Sequence, residues 1–309
     1  MEQVDLIHPV ILPNVATIGC FDGVHRGHQH LIKQVCCQAQ TKQLKSLLIT
    51  FDQHPKKILG CQTAPTLLSS PSEKTSLLEQ TGIDDCCCLT FTPALARLSA
   101  YEFMKTILKE KLNVRQLIIG FNHHFGRPAG ETADDYRQMG KALGIEVSIA
   151  DEYRYNGKPV SSSTIRKALC EGQLQKANDL LGHHYTLSGK VVEGRKVGRT
   201  LGFPTANIRP EVTDKLLPRN GSYAVTVTVE QETYAGMLYI GERPTFDDPN
   251  GRIAEVNILH FNKDIYHQNI RMSFIARLRD EQRFDRLEDL KEQLRKEQQT
   301  VEKIIQASI

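Results

Sequence analysis

The chain has 309 residues, and its 39 basic and 36 acidic side chains give a net charge of +3. This charge is too small to indicate a nucleic-acid or membrane partner. No apolar run approaches the roughly 18 residues of a membrane span, and the N-terminus carries two acids and no basic segment. We therefore expect a cytoplasmic protein that binds neither nucleic acid nor membrane, and the length allows two domains.

The eight cysteines all fall within the first 170 residues and include the adjacent run Cys86, Cys87 and Cys88. Adjacent cysteines suit neither a disulfide scaffold nor the paired spacing of a zinc site. We expect reduced and mostly buried thiols.

Short apolar runs alternate with helical patterns through the first half of the chain. The predicted strands are 15–18, 47–51, 86–91, 117–119 and 146–149, and the predicted helices are 26–42, 71–81, 99–112 and 132–143. Such alternation predicts a doubly wound parallel sheet joined by right-handed crossovers, an α/β Rossmann-like domain. Ligands of these sheets bind beyond the carboxyl ends of the strands.

The pattern changes after Gly144. A loop is predicted over 151–163, followed by two short helices over 164–170 and 173–181. Apolar alternation at period two over 223–229, 234–240, 253–261 and 270–275 then predicts a small antiparallel β-barrel. A terminal helix over 285–305 presents the stripe Phe284, Leu287, Leu290 and Leu294 for docking on that barrel. The predicted domains are 1–182 and 183–309.

The string IGCFDGVHRGH over 18–28 follows the first strand and opens the first helix. His25 and His28, three residues apart, are expected on one helical face beside unpaired backbone N–H groups and the positive end of the helix dipole. A nucleotide phosphate suits such a site, and Gly27 leaves room for a purine against the backbone. The alternative is an ordinary strand-to-helix turn with solvated histidines.

Three further strings follow predicted elements of the first half: FDQHP over 51–55, GFNHHFG over 120–126 and VSSSTIR over 160–166. Zinc at His123 and His124 is disfavoured, because adjacent side chains point apart and no acidic partner lies at ligand spacing. Ser162 or Ser163 is expected to cap the next helix, with Arg166 in its first turn. A cation there is unfavourable unless a phosphate is bound beside it.

In the second half, GRTLGFPTAN over 198–207 lies in a glycine-rich basic stretch that is not a P-loop. Such a loop can still wrap phosphates, and Thr205 and Asn207 offer oxygens to a hard cation. The alternative is a flexible basic hairpin. Glu255 is a lone carboxylate in an apolar strand, and in an alternating strand such a side chain commonly faces solvent.

Together these strings resemble the bacterial bifunctional riboflavin kinase/FAD synthetase family. The resemblance implies that the barrel phosphorylates riboflavin with ATP to give FMN, and that the N-terminal domain adenylylates FMN with ATP to FAD and releases pyrophosphate. It implies riboflavin, FMN, FAD and ATP as partners, with Mg²⁺ as cofactor.

The same resemblance implies the roles of individual residues. His25, His28 and Arg166 would stabilise charge on the phosphates, and Glu255 would be the kinase base. The adenylyl-transfer ATP site would comprise Gly19, Phe21, Asp22, Gly23, Gly27, Asn122, Ser162 and Ser163, and its flavin site Phe51, His54, Pro55 and Phe125. The kinase ATP site would comprise Gly194, Gly198, Arg199, Gly202, Phe203, Thr205 and Asn207, with Thr205 and Asn207 on Mg²⁺. Arg277 and Arg279 would contact the kinase flavin.

The chain departs from the family pattern at Gln53, Ser163, Tyr239, Asn257 and His260.

Two other functions stay open on the sequence. One is a nucleotidylyl transferase for another substrate, whose barrel serves only specificity, and the other is a flavin-binding protein without turnover.

Overall fold

The computed structural model describes residues 1–4, 6, 12–53, 55–58, 65–121, 125–126, 130–194, 198, 202–242 and 251–307. The chain divides into two compact units. The first comprises Met1–Thr66 with Lys74–Ser161, and the second Leu67–Glu73 with Ser162–Ile309. The predicted boundary at 183 stays a prediction.

The first unit contains a six-stranded parallel sheet in the order β1-β4-β3-β2-β5-β6. Its strands are β1 Glu2–Val4, β2 Asn14–Ile18, β3 Lys45–Phe51, β4 Asp85–Leu89, β5 Val114–Ile119 and β6 Glu146–Ile149. Every residue of β2 is buried, which is typical of a central strand covered on both faces. The doubly wound sheet is confirmed; the edge strand β1 was not predicted, since three residues carry no readable period.

Helices connect these strands. They are α1 Arg26–Lys42, α2 Pro55–Ile58, α3 Pro71–Glu79, α4 Ala100–Phe103, a π-helix Met104–Lys111 that continues α4, and α5 Ala133–Leu143. A capping box between Thr132 and Asp135 begins α5, and Gly144 ends it at a φ of +69°. The predicted loop 151–163 contains a short hairpin, β7 Arg154–Tyr155 and β8 Lys158–Pro159.

Two apolar clusters cover the two faces of the sheet because successive strand residues point to opposite sides. Ala16 and Ile18 of β2 belong to the cluster that includes Phe103 and Leu108, whereas Val15 belongs to the cluster that includes Ile32. Because apolar residues cover both faces of the sheet, the turns at the carboxyl ends of the strands remain as the place where a ligand could bind.

The second unit is built on a closed antiparallel barrel with the strand order β10-β13-β12-β11-β14-β9. Its elements are α6 Ser162–Cys170, α7 Leu174–Leu181, β9 Thr186–Val192, β10 Ala206–Pro210, β11 Gly221–Val229, β12 Glu232–Glu242, β13 Arg252–Ile258, β14 Asn269–Asp280 and α8 Leu287–Gln306. The predicted barrel is confirmed. Strands β9 and β10 were missed, because Ser188, Gly189 and Lys190 interrupt the first, and the second includes Asn207, Arg209 and Pro210, which are poor strand formers.

The terminal helix α8 docks on the barrel, but not through the predicted stripe. Leu287 is 60% exposed, whereas Val301 and Ile305 are buried against Ala224 and Met237. Phe284 lies before α8 begins, Leu290 and Leu294 are half-buried, and the fully buried apolar residues of the helix are in its second half. Among the described helices, none is long and apolar enough to cross a membrane.

Within the second unit, the segment Leu67–Glu73 pairs with the barrel through a buried ion pair. The Nζ atom of Lys215 donates to Glu73 Oε2 and to the Leu68 carbonyl at 2.6 Å each, and both charged side chains are 1% exposed. The Ser188 backbone N–H donates to the other oxygen of Glu73 at 2.6 Å. These partners satisfy both buried charges, as burial of an ion pair requires.

The seven cysteines that the structure describes are unbridged. Only Cys86 and Cys87 are buried, while Cys37, Cys88 and Cys170 are exposed. The expectation of mostly buried thiols is therefore wrong, because Cys37 and Cys170 lie on outward-facing helix positions and Cys88 on an outward-facing strand position. Burial raises the pKa of the Cys86 thiol to about 11.

Candidate active sites

A strained turn joins β2 to α1. Phe21 and Val24 have φ values of +49° and +38°, and Gly23 between them has +78°. Left-handed backbone is costly for a β-branched residue, on the order of 1–3 kcal/mol, and persists only where the surroundings impose it. Phe21 and Val24 are each 1% exposed, so core packing holds the turn in this shape.

The turn places two histidines at the start of α1. His25 is the N-cap residue, and its Nδ1 accepts a hydrogen bond from the His28 backbone N–H at 3.3 Å. The two rings stack with centroids 3.6 Å apart and planes 15° from parallel. His25 thus lies in the cap rather than in the first helical turn, and the two rings share one face as expected.

The electrostatics of this helix start favour an anion. No acidic side chain lies in the first turn of α1 to offset its positive end. Because Nδ1 of His25 accepts a hydrogen bond, its neutral ring carries the proton on Nε2, which can donate to a phosphate oxygen. A Cβ atom added at Gly27 would lie 3.1 Å from Cε1 of His25. The absence of a side chain at Gly27 therefore leaves room for the His25 ring in this position.

The string 160–166 differs in one respect from its prediction. Helix α6 begins at Ser162, so the residue before it is Ser161. The prediction that Ser162 or Ser163 caps the helix is wrong, and Arg166 lies in its second turn. The first turn therefore carries the three hydroxyl groups of Ser162, Ser163 and Thr164 rather than the cation.

The predicted members of the adenylyl-transfer site are divided between the units. His25 and His28 belong to the first unit, and Ser162, Ser163 and Arg166 to the second. The structure brings the two histidines together, and their association with Arg166 stays a prediction. Predicted residues His54, Asn122 and Arg199 lie outside the described residues, as does the side chain of Pro55.

The two described candidates for flavin contact in the first unit are packed aromatic rings. Phe51 is 8% exposed and meets Phe91 edge to face at 5.4 Å. Phe125 packs 4.6 Å from the ring of Tyr136, whose hydroxyl donates to the Phe125 carbonyl at 2.8 Å. Both rings have fixed positions that a planar ligand could pack against.

In the barrel, strand register aligns the kinase candidates in one row. Glu255 of β13 pairs directly with Asn207 of β10 on one side and with Tyr239 of β12 on the other. Tyr239 pairs with Ser222 of β11, which pairs with Arg279 of β14. Directly paired residues share a face and have Cβ atoms about 5 Å apart. We name these five residues the register row.

Glycines let the chain approach one end of this row. A Cβ atom added at Gly194 would lie 1.9 Å from Nδ2 of Asn207, and one at Gly198 would lie 2.3 Å from the Phe203 carbonyl oxygen. The Phe203 N–H donates to the Gly198 carbonyl at 2.9 Å. Gly202 has a φ of +83°. The glycines therefore make close contact with Asn207 and with the segment before Thr205 possible.

A cavity of about 360 Å³ opens beside Thr205. Its lining combines apolar walls with a few polar groups, as small-molecule sites do. The lining residues are Val191, Pro204, Thr205, Ala206, Val256, Ile258, Phe261, Asn262, Lys263, Asp264, Ile265 and Tyr266.

The middle of the register row is held by a tyrosine–carboxylate bond. The Tyr239 hydroxyl donates to Glu281 Oε1 at 2.6 Å, and Asn220 Nδ2 donates to the other oxygen at 3.1 Å. Burial and this hydrogen bond raise the pKa of Tyr239, while the same bond lowers the pKa of Glu281. The proton therefore stays on Tyr239, and Glu281 stays ionised.

The two predicted flavin arginines already have protein partners. Arg277 donates to the Asn220 carbonyl at 2.9 Å and to Asp280 at 2.7 Å, and it lies over the Tyr223 ring. Arg279 donates through Nε to Glu297 of α8 at 2.5 Å. Sequence reasoning missed Ser222 and Glu297, because their partners come from strand register and helix docking.

Sequence models of two families match the chain in the predicted order: FAD synthetase over residues 10–164 and riboflavin kinase over residues 181–305. A bifunctional riboflavin kinase/FMN adenylyltransferase of Listeria monocytogenes is 36% identical over 306 residues, 97% of this chain and 96% of that protein. The chain belongs to the bifunctional riboflavin kinase/FMN adenylyltransferase family.

Other relatives agree over nearly the whole length. The bifunctional riboflavin kinase/FMN adenylyltransferase of Bacillus subtilis is 35% identical over 312 residues, 97% of this chain and 96% of that protein. A crystal structure of a Streptococcus pneumoniae protein, described as a macrolide-efflux protein, has a TM-score of 0.86 and 28% identity. That similarity covers 98% of this chain and 99% of the other.

Two departures from the family pattern have defined contacts. Asn257, where the pattern has histidine, is buried and donates through Nδ2 to the Pro204 carbonyl at 2.7 Å. His260, where the pattern has aspartate, has a φ of +54° and lies 3.1 Å from a Glu302 oxygen of α8. Asn257 thus anchors the segment that carries Thr205, whereas His260 contacts the terminal helix.

Proposed function

We infer that this chain is a bifunctional enzyme that phosphorylates riboflavin to FMN with ATP and adenylylates FMN to FAD with a second ATP. Family membership over both units supports the pair of activities. The observation that carries the assignment of residues is the register row, because it sets Glu255 between Asn207 and Tyr239 in a barrel whose glycine segment reaches the same row.

For the kinase reaction we assign Glu255 as general base. The proton of the riboflavin 5′-hydroxyl passes to its carboxylate as the hydroxyl oxygen attacks the γ-phosphorus of ATP and ADP leaves. A positioned base contributes about 10²- to 10⁴-fold. The segment with Gly194, Gly198, Gly202 and Phe203 would wrap the phosphates, because its backbone approaches Asn207 of the register row.

Thr205 and Asn207 fit a hard cation such as Mg²⁺. They offer a hydroxyl and an amide oxygen, and the Gly194 backbone lies close to the Asn207 side chain. In the described part of the chain, no group of three acidic, histidine or cysteine side chains could hold a metal ion. Mg²⁺ commonly takes one or two protein oxygens and completes its shell with phosphates and waters. When bound it would neutralise phosphate charge.

For the adenylyl transfer, an FMN phosphate oxygen attacks the α-phosphorus of ATP and pyrophosphate leaves. The chemistry needs alignment and charge stabilisation rather than a covalent intermediate. We assign His25, His28 and Arg166 to the charge on the phosphates, with the start of α1 as the anion site. Phe51 and Phe125 would contact the flavin. We propose the cytoplasm as the compartment of this enzyme.

Incubation of the pure protein with riboflavin, ATP and Mg²⁺, followed by chromatography, tests both activities. FMN and FAD should both form. Formation of neither FMN nor FAD, without tight flavin binding, would support a nucleotidylyl transferase for another substrate whose barrel serves only specificity. Tight flavin binding without ATP consumption would support a carrier.

We expect Asn257→Leu to lower kcat/KM of FMN formation by about tenfold, because the Pro204 carbonyl loses its donor and the Thr205 segment its anchor. Asn257→His supplies a ring N–H and should stay within about twofold of the parent protein. Steady-state kinetics of both reactions measure the effect, with FMN-to-FAD conversion unchanged. Equal impairment by leucine and histidine would contradict the anchoring role.

A further inference from the structure

The terminal helix α8 has one buried carboxylate, that of Glu297. Glu297 is 5% exposed and accepts three hydrogen bonds, from Arg279 Nε at 2.5 Å, Ser222 Oγ at 2.5 Å and Gln293 Nε2 at 2.9 Å. The other buried residues of α8 are the apolar Val301 and Ile305. Burial of a carboxylate is costly unless it is paired, so these partners define its position.

The two barrel partners of Glu297 belong to the register row. Ser222 and Arg279 pair with each other, and Ser222 pairs with Tyr239, the neighbour of Glu255. Glu297 therefore contacts the end of the row that lies opposite Asn207. It does so from a helix that contributes no other buried charge.

Glu297 restricts the guanidinium of Arg279. Arg279 also donates through Nη1 to the Asp280 carbonyl at 3.0 Å and lies 5.7 Å from the Phe284 ring centroid. An arginine side chain carries a large rotamer entropy, and part of this is lost whenever it binds a ligand. An arginine already fixed by a carboxylate, a carbonyl and a ring loses less, so it binds a ligand more tightly.

We propose that Glu297 is a positioning residue of the kinase site and acts by holding Arg279 in the orientation that contacts the flavin. The proposal rests on the proposed kinase function. It predicts a selective effect on riboflavin binding, because Glu297 supports a substrate-contacting side chain and not Glu255.

The test is Glu297→Gln in the full chain. The KM for riboflavin should rise about tenfold, from the loss of a charge-assisted hydrogen bond to Arg279, while kcat stays within about twofold. FMN-to-FAD conversion should be unchanged. The matched control is Glu302→Gln, which makes the same change on the same helix at the exposed contact with His260 and should leave this KM unchanged.

A double-mutant cycle with Arg279→Lys separates positioning from simple stabilisation of the helix. If Glu297 acts through Arg279, the double variant should have about the same KM as Arg279→Lys alone. Additive effects, or a lower melting temperature with unchanged KM, would overturn the proposal. If Glu297→Gln fails to fold, Ser222→Ala tests the same idea, because it removes a second partner of the carboxylate. This variant should raise the KM for riboflavin, and an unchanged KM would contradict the proposal. Absence of FMN formation by the parent protein would refute the proposed function instead.

Discussion

Replacement of Glu255 by glutamine is expected to lower kcat of FMN formation by about 10²- to 10⁴-fold, because the amide cannot take the proton of the ribityl hydroxyl. Glutamine keeps the size of the side chain, so the pairing with Asn207 and Tyr239 should survive. Conversion of FMN to FAD should be unchanged. Product chromatography with riboflavin or FMN as the starting flavin measures the two reactions separately.

The matched control for this variant is Glu230→Gln, at the exposed turn between β11 and β12. It removes one carboxylate from the same barrel and should preserve both activities. Normal FMN formation by Glu255→Gln would exclude Glu255 as the base. Loss of both activities would show that the variant damages the whole protein.

His28→Ala is expected to have the reverse selectivity, with FAD formation reduced by about 10²- to 10³-fold and FMN formation unchanged. The size is that of removing one preorganised donor from a developing charge. The cap of α1 should persist, because the bond to Nδ1 of His25 comes from the backbone N–H of residue 28. The imidazole is therefore lost without loss of the helix start.

His30→Ala is the control for this second variant, since it removes another imidazole from the same helix. The His30 ring lies near the Tyr153 ring, with centroids 5.6 Å apart. Both activities should survive it. Kinetics with FMN and ATP, together with far-ultraviolet circular dichroism, would separate chemistry from folding. Retention of FAD formation by His28→Ala would remove this residue from the phosphate site.

Much of the fold could be predicted because its signals are local. The helix 26–42 has the predicted bounds, since a strand, a glycine turn and an apolar periodicity mark it. The barrel was predictable from period two in four runs. Strands β1, β9 and β10 were not predictable. The three residues of β1 show no period, Ser, Gly and Lys interrupt the apolar residues of β9, and Asn, Arg and Pro interrupt those of β10.

The candidate residues divide in the same way. His25, His28 and Glu255 stand in recognisable strings, so their types and spacing indicated chemistry before any contact was known. The cap role of His25, the anchor role of Asn257 and the partners of Arg279 depend on atoms distant in sequence or on the exact helix start. Asn257 lies 53 residues from Pro204, for example, and no pattern joins them.

By itself, the sequence determined that two glycine-containing strings lie on two kinds of domain, because periodicity and turn residues act over a few residues. The tertiary structure decided which side chains are neighbours. Register aligned Asn207, Glu255, Tyr239, Ser222 and Arg279, and docking of α8 brought Glu297 to the last two. The physical reason is that pairing between strands and burial of a helix face depend on the packing of the whole barrel, which no local pattern specifies.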